Sequence, residues 1–345
     1  MGLFNAVLDT APQRFARPLN FPPGHWKKQL PKKYLDLAQQ GDLPRLEALL
    51  REHPGYLSKR GSHNRTLLWE AARAGKLALV RVLVEAGAEV NATGCYNGET
   101  LVQITPFCAA RYYRREAIAE YLWEKGSTLD VFRAAFLGDH ARVERELAAE
   151  PDLLNAEDHL DEIYYVPLLS FAVAGGHADL ASFLINRGAS VAPYSAQLIG
   201  LAAKAARKDL IDALLAGGAD LRVVGVGVFV QVSDLTLLAD LLGKGLSANR
   251  RDDNGFPPLV YVSRGDKGEH PEKVQLLLDH GAEVNAIGPH GKTALHYAAT
   301  AGHLRVSQLL LERGADPTLL DEAGYTALDL ARSADKSRCV ELLQS

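Results

Sequence analysis

The sequence predicts an all-α solenoid of short, paired antiparallel helices with β-hairpin-like finger loops, and three observations predict it. A phrase of the form Leu-Leu-x-x-Gly-Ala recurs along the 345 residues. Its turn glycines are Gly87, Gly126, Gly188, Gly218, Gly245, Gly281 and Gly314, separated by 39, 62, 30, 27, 36 and 33 residues. These spacings cluster near a period of about 33, with 62 reading as two units. An alanine-rich phrase lies about twenty residues before each such glycine, clearest in KTALHYAATAGHLRVSQLLLERGAD at 292–316. The implied helices are only about eight residues long, which is marginal in isolation. Stacked in pairs they cover one another's apolar stripe, so added length means added units rather than added domains.

Taken in order, residues 1–30 hold four prolines and no periodic pattern. They read as an irregular N-terminal extension packed on the first repeat, because Phe4, Phe15, Phe21 and Trp26 need cover. The array itself spans 31–345. Residues 31–58 form a capping unit. Units follow at 62–92 (TLLWEAARAGKLALVRVLVEAGA) and 96–128 (TPFCAARYYRREAIAEYLWEKGS). In 129–156, Glu150-Pro151 stands where Gly-Ala is expected, so the second helix should end differently. A lengthened connection, NAEDHLDEIYYV at 155–166, leads into 163–191. The unit 194–221 lacks a Thr-Pro opening. In 223–249 the β-branched run VVGVGVFVQV reads locally as strand, but its neighbours argue for a short helix pair. The unit 252–286 carries about three inserted residues within VSRGDKGEHPEKV at 262–274. Units 289–318 and 321–345 complete the array.

The phrase at 292–316 closely resembles the ankyrin consensus Thr-Pro-Leu-His-x-Ala-Ala…Gly-His, and the chain is identified as a member of the ankyrin-repeat family over most of 31–345. Thr293 has the chemistry of an N-cap, and Gly314 sits where a left-handed C-cap is cheapest for glycine. His296 and His303 occupy consensus positions and read as hydrogen-bonded scaffold groups.

Composition and motifs exclude several classes. No apolar run approaches the roughly 18 residues of a membrane span. The first residues lack a signal-peptide pattern, and Ala6 stands where a myristoylation motif needs Ser or Thr. The expected location is the cytoplasm. A net charge of −4 argues against a sequence-independent grip on nucleic acid. Cys95, Cys108 and Cys339 are scattered, with neither zinc nor disulfide spacing, and read as buried or incidental thiols. Gly225-Val226-Gly227 lacks the rest of a phosphate loop. The acidic run Glu157, Asp158, Asp161 and Glu162 lacks the spacing of a calcium loop and reads as solvated. No hydrolase, kinase or metalloprotease signature is present, so neither catalysis nor a cofactor is expected.

The resemblance implies binding of a protein partner by fingertips and first helices lining a concave face, in the manner of a scaffold, adaptor or inhibitor; a monomer is expected. Mapping the family's variable positions picks Tyr112 and Tyr113, surrounded by Arg111, Arg114 and Arg115. Here Arg114-Arg115 replace Gly-His, which leaves the local helix end open. Tyrosine and arginine are the residue types that dominate interface hot spots. The fingertip candidates are His63, Arg65, Tyr96, Asn97, Tyr164, Asn254, Phe256, His290, Lys292 and Tyr325. Trp69, in place of the usual histidine, fits either core or surface. Two other readings stay open. One is a secreted effector or an enzyme with an unrecognised site in the divergent central units. The other is a nucleic-acid or small-ligand binder using the Tyr112–Arg115 cluster.

Overall fold

The structure, a computed structural model, describes residues 30–96, 102–161, 164–265 and 268–344, with the side chains at 159–161, 164 and 165 outside that description. The reading of residues 1–30 as a packed extension therefore lies almost wholly outside the described residues, as does Asn97. The chain divides into two compact units, which among the described residues comprise 30–190 and 191–344.

Residues 30–190 hold five successive helix pairs: α1 (Lys32–Gln40) and α2 (Leu43–Glu52), α3 (Leu67–Ala74) and α4 (Leu77–Glu85), α5 (Pro106–Tyr112) and α6 (Glu116–Glu124), α7 (Val131–Leu137) and α8 (His140–Ala149), α9 (Leu168–Gly175) and α10 (Ala178–Asn186). Five more follow in 191–344: α11 (Ser195–Lys204) and α12 (Lys208–Ala216), α13 (Gly227–Gln231) and α14 (Leu235–Gly243), α15 (Pro258–Arg264) and α16 (Pro271–Asp279), α17 (Ala294–Ala301) and α18 (Leu304–Glu312), α19 (Ala327–Ser333) and α20 (Ser337–Gln344). Within each unit first helices pack on first helices, as α3 does on α1 and α5, and α17 on α15 and α19. Fully buried alanines make this close approach possible: Ala71, Ala72, Ala109, Ala110, Ala134 and Ala135 in one unit, Ala298 and Ala299 in the other. Leucines of the second helices, such as Leu83, Leu122, Leu184, Leu277 and Leu310, fill the space behind them. Burying each contributes about 1.5–3 kcal/mol.

Local chemistry starts and stops the helices. The side chains of Thr66, Thr105 and Asp130 accept from the backbone N–H three residues on, at 3.2, 3.3 and 2.9 Å, satisfying one of the donors each helix start leaves open. First helices end in a left-handed residue, usually glycine: Gly75, Gly138, Gly176 and Gly302 have φ of 79, 74, 83 and 80°. Arg114, Ala206 and Asp335 adopt the same conformation without glycine's freedom, at φ 56, 52 and 54°. Arg114 thus takes over the glycine's place in the third unit.

Neighbouring pairs are tied by two repeated bonds. A side chain at the start of a second helix reaches the penultimate carbonyl of the preceding pair's first helix: His177 to Phe136 O at 3.0 Å, His303 to Ser263 O at 3.2 Å, and Arg115 Nε to Arg73 O at 3.5 Å. Lys273 Nζ makes the equivalent bond to Val230 O at 3.1 Å. An asparagine after the second helix bridges to the next turn: Asn249 donates to Gly281 O at 2.8 Å and accepts from Glu283 N at 2.9 Å. Asn91, Asn155 and Asn285 repeat this pattern.

The irregular units resolve physically. Residues 223–249 form helices despite the β-branched run, because Val228 and Phe229 are needed in the core and Asp234 caps α14 through Thr236 N and Leu237 N. After α8 the extended Glu150 leads into a 3₁₀ turn, Pro151–Asn155, so this helix does end differently. The long connection forms an antiparallel hairpin of β3 (Glu157–Asp161) and β4 (Tyr164–Pro167); a shorter one, β1 (Gly94–Cys95) with β2 (Gln103–Ile104), precedes α5. Asp158 is not the solvated carboxylate expected of an acidic loop: it pairs with Arg133 at 2.7 Å and is mostly covered. In the insertion of the eighth unit, Glu269 accepts from Arg305 N at 3.1 Å and Val306 N at 3.4 Å, capping the next unit's α18.

Candidate functional site

The densest grouping of the predicted contact residues lies on the first helices of residues 30–190. Tyr112, in the last turn of α5, is exposed, and Tyr113 beside it is half-buried. Tyr96, just after β1, brings its ring to 5.0 Å from that of Tyr112 in an edge-to-face arrangement, with the two hydroxyls 2.8 Å apart. Tyr113 packs edge-on to Tyr112 at 5.1 Å. Phe136, fully buried on α7, lies 5.0 Å from Tyr96 and 5.1 Å from Tyr112 and forms their floor. Edge-to-face pairs of this kind each add about 0.5–1.5 kcal/mol beyond burial. Burial, and then the bond to Tyr112, hold the Tyr96 phenol well above its ordinary pKa. Burial also raises Tyr113. Both are neutral hydroxyls at any physiological pH.

The charged surround is ordered by one carboxylate. Glu70, buried on α3, binds Arg65 through Oε1 at 2.8 Å and Arg73 through Oε2 at 2.8 Å. Arg65 is then fully engaged: its Nε donates to Cys95 O at 2.8 Å, another nitrogen donates to Tyr96 O at 3.0 Å, and its guanidinium stacks 4.2 Å from the Trp69 ring. Arg73 lies 6.0 Å from the Tyr113 ring. Arg111 pairs with Glu116 at 2.8 Å, both well exposed. Arg114 is exposed and has no carboxylate partner among the described residues. Arg115 is exposed and lies beside Arg73.

Two expected contacts are corrected by burial. Trp69 is completely buried, and its indole N–H donates to Ile104 O at 2.9 Å, so it belongs to the core and holds the finger before α5. Arg65, with only 12% of its side chain exposed, is likewise a finger-holding group rather than a free fingertip. The same burial governs the thiols: Cys95, Cys108 and Cys339 are all buried, and desolvation pushes Cys95 and Cys108 up to about 11.

The ankyrin-repeat family model in its three-copy form matches residues 228–321, and the single-repeat form matches 63–95. The crystal structure of the ankyrin repeat domain of Bcl-3, described as a unique member of the IkappaB protein family, superposes with a TM-score of 0.53 at 26% identity, covering 64% of this chain and 99% of that one. This chain is an ankyrin-repeat protein. It is also similar to the E3 ubiquitin-protein ligase XB3 of Oryza sativa subsp. japonica, 30% identical over 184 residues, covering 47% of this chain and 40% of that protein. The match thus spans two fifths of the ligase.

The remaining predicted contacts of this ankyrin-repeat protein fall elsewhere. His63 is exposed at a fingertip with φ 60°. Tyr164 lies on β4, its side chain outside the description. In the unit 191–344, Asn254 and His290 are exposed, and Tyr325 is 52% exposed. Lys292 is half-buried, with its ammonium 3.9 Å from Asp321. Phe256 is half-buried among Tyr261, Tyr297 and Arg264, at 6.0, 5.9 and 5.7 Å. Sequence reasoning missed Glu70, Arg73 and Phe136. Glu70 and Arg73 carried a readable signal, an acid and a base one helical turn apart. Phe136, on the next unit's helix, carried none. Among the described residues no cluster of His, Cys, Asp and Glu could hold a metal ion, and no helix is long and apolar enough to cross a membrane.

Proposed function

We propose that this chain is a non-enzymatic module that holds one protein partner, as a cytoplasmic scaffold, adaptor or inhibitor, on the concave face of its repeats, with Tyr112 as the centre of contact. The observation that carries the reading is the exposure of Tyr112 on a fixed base of Tyr96, Tyr113 and Phe136, beside the outward guanidinium of Arg114. A rigid aromatic anchor next to arginine is what interface hot spots favour, because little side-chain freedom is lost on binding. The titratable groups around it are committed to the scaffold: Glu70 lies between two arginines, Arg133 between Asp130 and Asp158, and His177 on a carbonyl. That supports holding rather than catalysis. The ligase activity named for the rice relative belongs to that protein, of which 40% is matched.

Affinity capture with the full chain from native extract, followed by mass spectrometry, identifies the partner. Tyr112→Ala with Tyr113→Ala should then weaken that complex at least about tenfold, roughly 1.4 kcal/mol, with the circular dichroism spectrum retained. An unchanged affinity in the folded variant removes this site.

A further inference from the structure

We infer that the partner meets this face with an acidic, extended segment carrying an aromatic or long aliphatic side chain; the inference rests on the protein-binding reading above.

Five guanidinium groups, those of Arg65, Arg73, Arg111, Arg114 and Arg115, lie in or beside the aromatic group, against two carboxylates, Glu70 and Glu116. Glu70 is buried beneath Arg65 and Arg73, so its charge is spent inside the protein. Glu116 answers Arg111 alone. The surplus charge sits on Arg114 and Arg115, both exposed. The whole chain carries a net −4, so this positive sign is a local segregation rather than a general property. A patch of one sign selects a partner of the other and speeds their encounter. Between the arginines, the exposed Tyr112 ring over Phe136 offers an apolar seat.

The length and chemical class of the segment follow from the same geometry. The exposed side chains of the patch stand on or just after α3 and α5, and Tyr112 lies against the buried Phe136 of α7, so the patch reaches over at most two helix spacings of about 8–10 Å each. That distance matches about six residues of extended chain at ~3.3 Å each. Single-stranded nucleic acid would also bring negative charge, but it binds through open aromatic faces on which bases stack. Here the rings are engaged with one another, Tyr112 edge to face with Tyr96 at 78° and with Tyr113 at 83°, and tilted against the buried Phe136. A side chain set against the Tyr112 ring suits this site better than a stacked base.

The test is selection of a displayed random 12-residue peptide library on the immobilised full chain, with a twenty-nucleotide oligo-dT as a second probe. Enriched peptides should carry a net negative charge around an aromatic or aliphatic residue. Their binding should weaken about tenfold with Tyr112→Ala/Tyr113→Ala, and about as much with Arg114→Gly/Arg111→Gln or on raising salt to about 0.3 M. Arg114→Gly removes the charge while relieving the left-handed backbone, so loss of binding there is not loss of fold. Neutral or basic peptides that depend on the tyrosines but not on the arginines would overturn the inference and leave the protein-binding reading standing. Acidic peptides indifferent to the tyrosines would overturn both. Failure to enrich any peptide, or tighter binding of oligo-dT than of the selected peptides, would overturn the inference as well.

Discussion

Replacing Glu70 by Gln should destabilise residues 30–190 by about 3 kcal/mol, more than any exposed ion-pair substitution in this chain. The carboxylate is 6% exposed and binds a guanidinium through each oxygen, Arg65 and Arg73, at 2.8 Å. A neutral amide keeps one acceptor oxygen and turns an N–H₂ donor toward the other guanidinium, which has only donors. Breaking a buried pair costs about 3–5 kcal/mol because a charge is left uncompensated. The lower end applies, since Arg73 is 24% exposed and water can reach it. For a unit of this size each kcal/mol moves the melting midpoint by about 2–4 °C, giving a drop of about 6–12 °C. Calorimetry of the full chain measures it, the effect falling on the transition of residues 30–190 if the two units melt apart. Glu116→Gln is the control: it breaks the Arg111 pair, whose side chains are 52% and 57% exposed, at a cost under about 1 kcal/mol. If Glu70→Gln lowers the midpoint no more than Glu116→Gln does, the assignment of Glu70 as the organiser of this face is wrong.

Three further outcomes follow from other positions. Ala206→Gly should stabilise residues 191–344 by about 1 kcal/mol, because Ala206 holds φ 52° where glycine is unstrained; chemical denaturation reads the gain as a higher midpoint with unchanged slope. Gly175→Ala should destabilise by about 3 kcal/mol or more, since the new methyl carbon would lie 2.1 Å from the Phe136 carbonyl oxygen, backbone that cannot swing away; an unchanged melting midpoint would contradict the close α7–α9 approach. His296 has its pKa lowered by burial, so the unfolded chain takes up a proton more readily than the native one. Its contribution is complete above about pH 6.5 and is lost as pH falls from there toward the folded pKa; the native-minus-His296→Gln difference in stability should shrink over that window in a pH titration of unfolding.

Much of the fold was legible because the regular ankyrin units write their start and stop locally: a capping Thr or Asp, paired alanines, then leucines and a turn glycine. The divergent units became legible only through their neighbours. Nothing inside VVGVGVFVQV distinguishes a buried strand from a five-residue helix; the core demand for Val228 and Phe229 decides it. The Arg114-Arg115 pair that stands for Gly-His in the third unit shows why identity misleads where chemistry does not. The second position needs a donor that reaches one carbonyl, and His177, His303, Arg115 and Lys273 all supply it from slightly different places. The site was legible as composition, two tyrosines among arginines. Its floor was not, because Phe136 is supplied by the next unit.

His296 is the third residue after its N-cap Thr293; its Nδ1 accepts from the Thr293 N–H at 3.2 Å and its Nε2 meets Tyr325 O at 3.2 Å. Trp69, third after Thr66, makes the equivalent bond to Ile104 O. Arg133, third after Asp130, binds Asp158 of the following hairpin. Histidine, tryptophan and arginine thus do one task, fastening the next finger from a buried slot. In these three units the slot is spent on scaffolding, and this is why Trp69 is not free to serve a partner. The residues that our proposal gives to the partner stand one or two turns later, where the first helix ends: Tyr112, Tyr113 and Arg114.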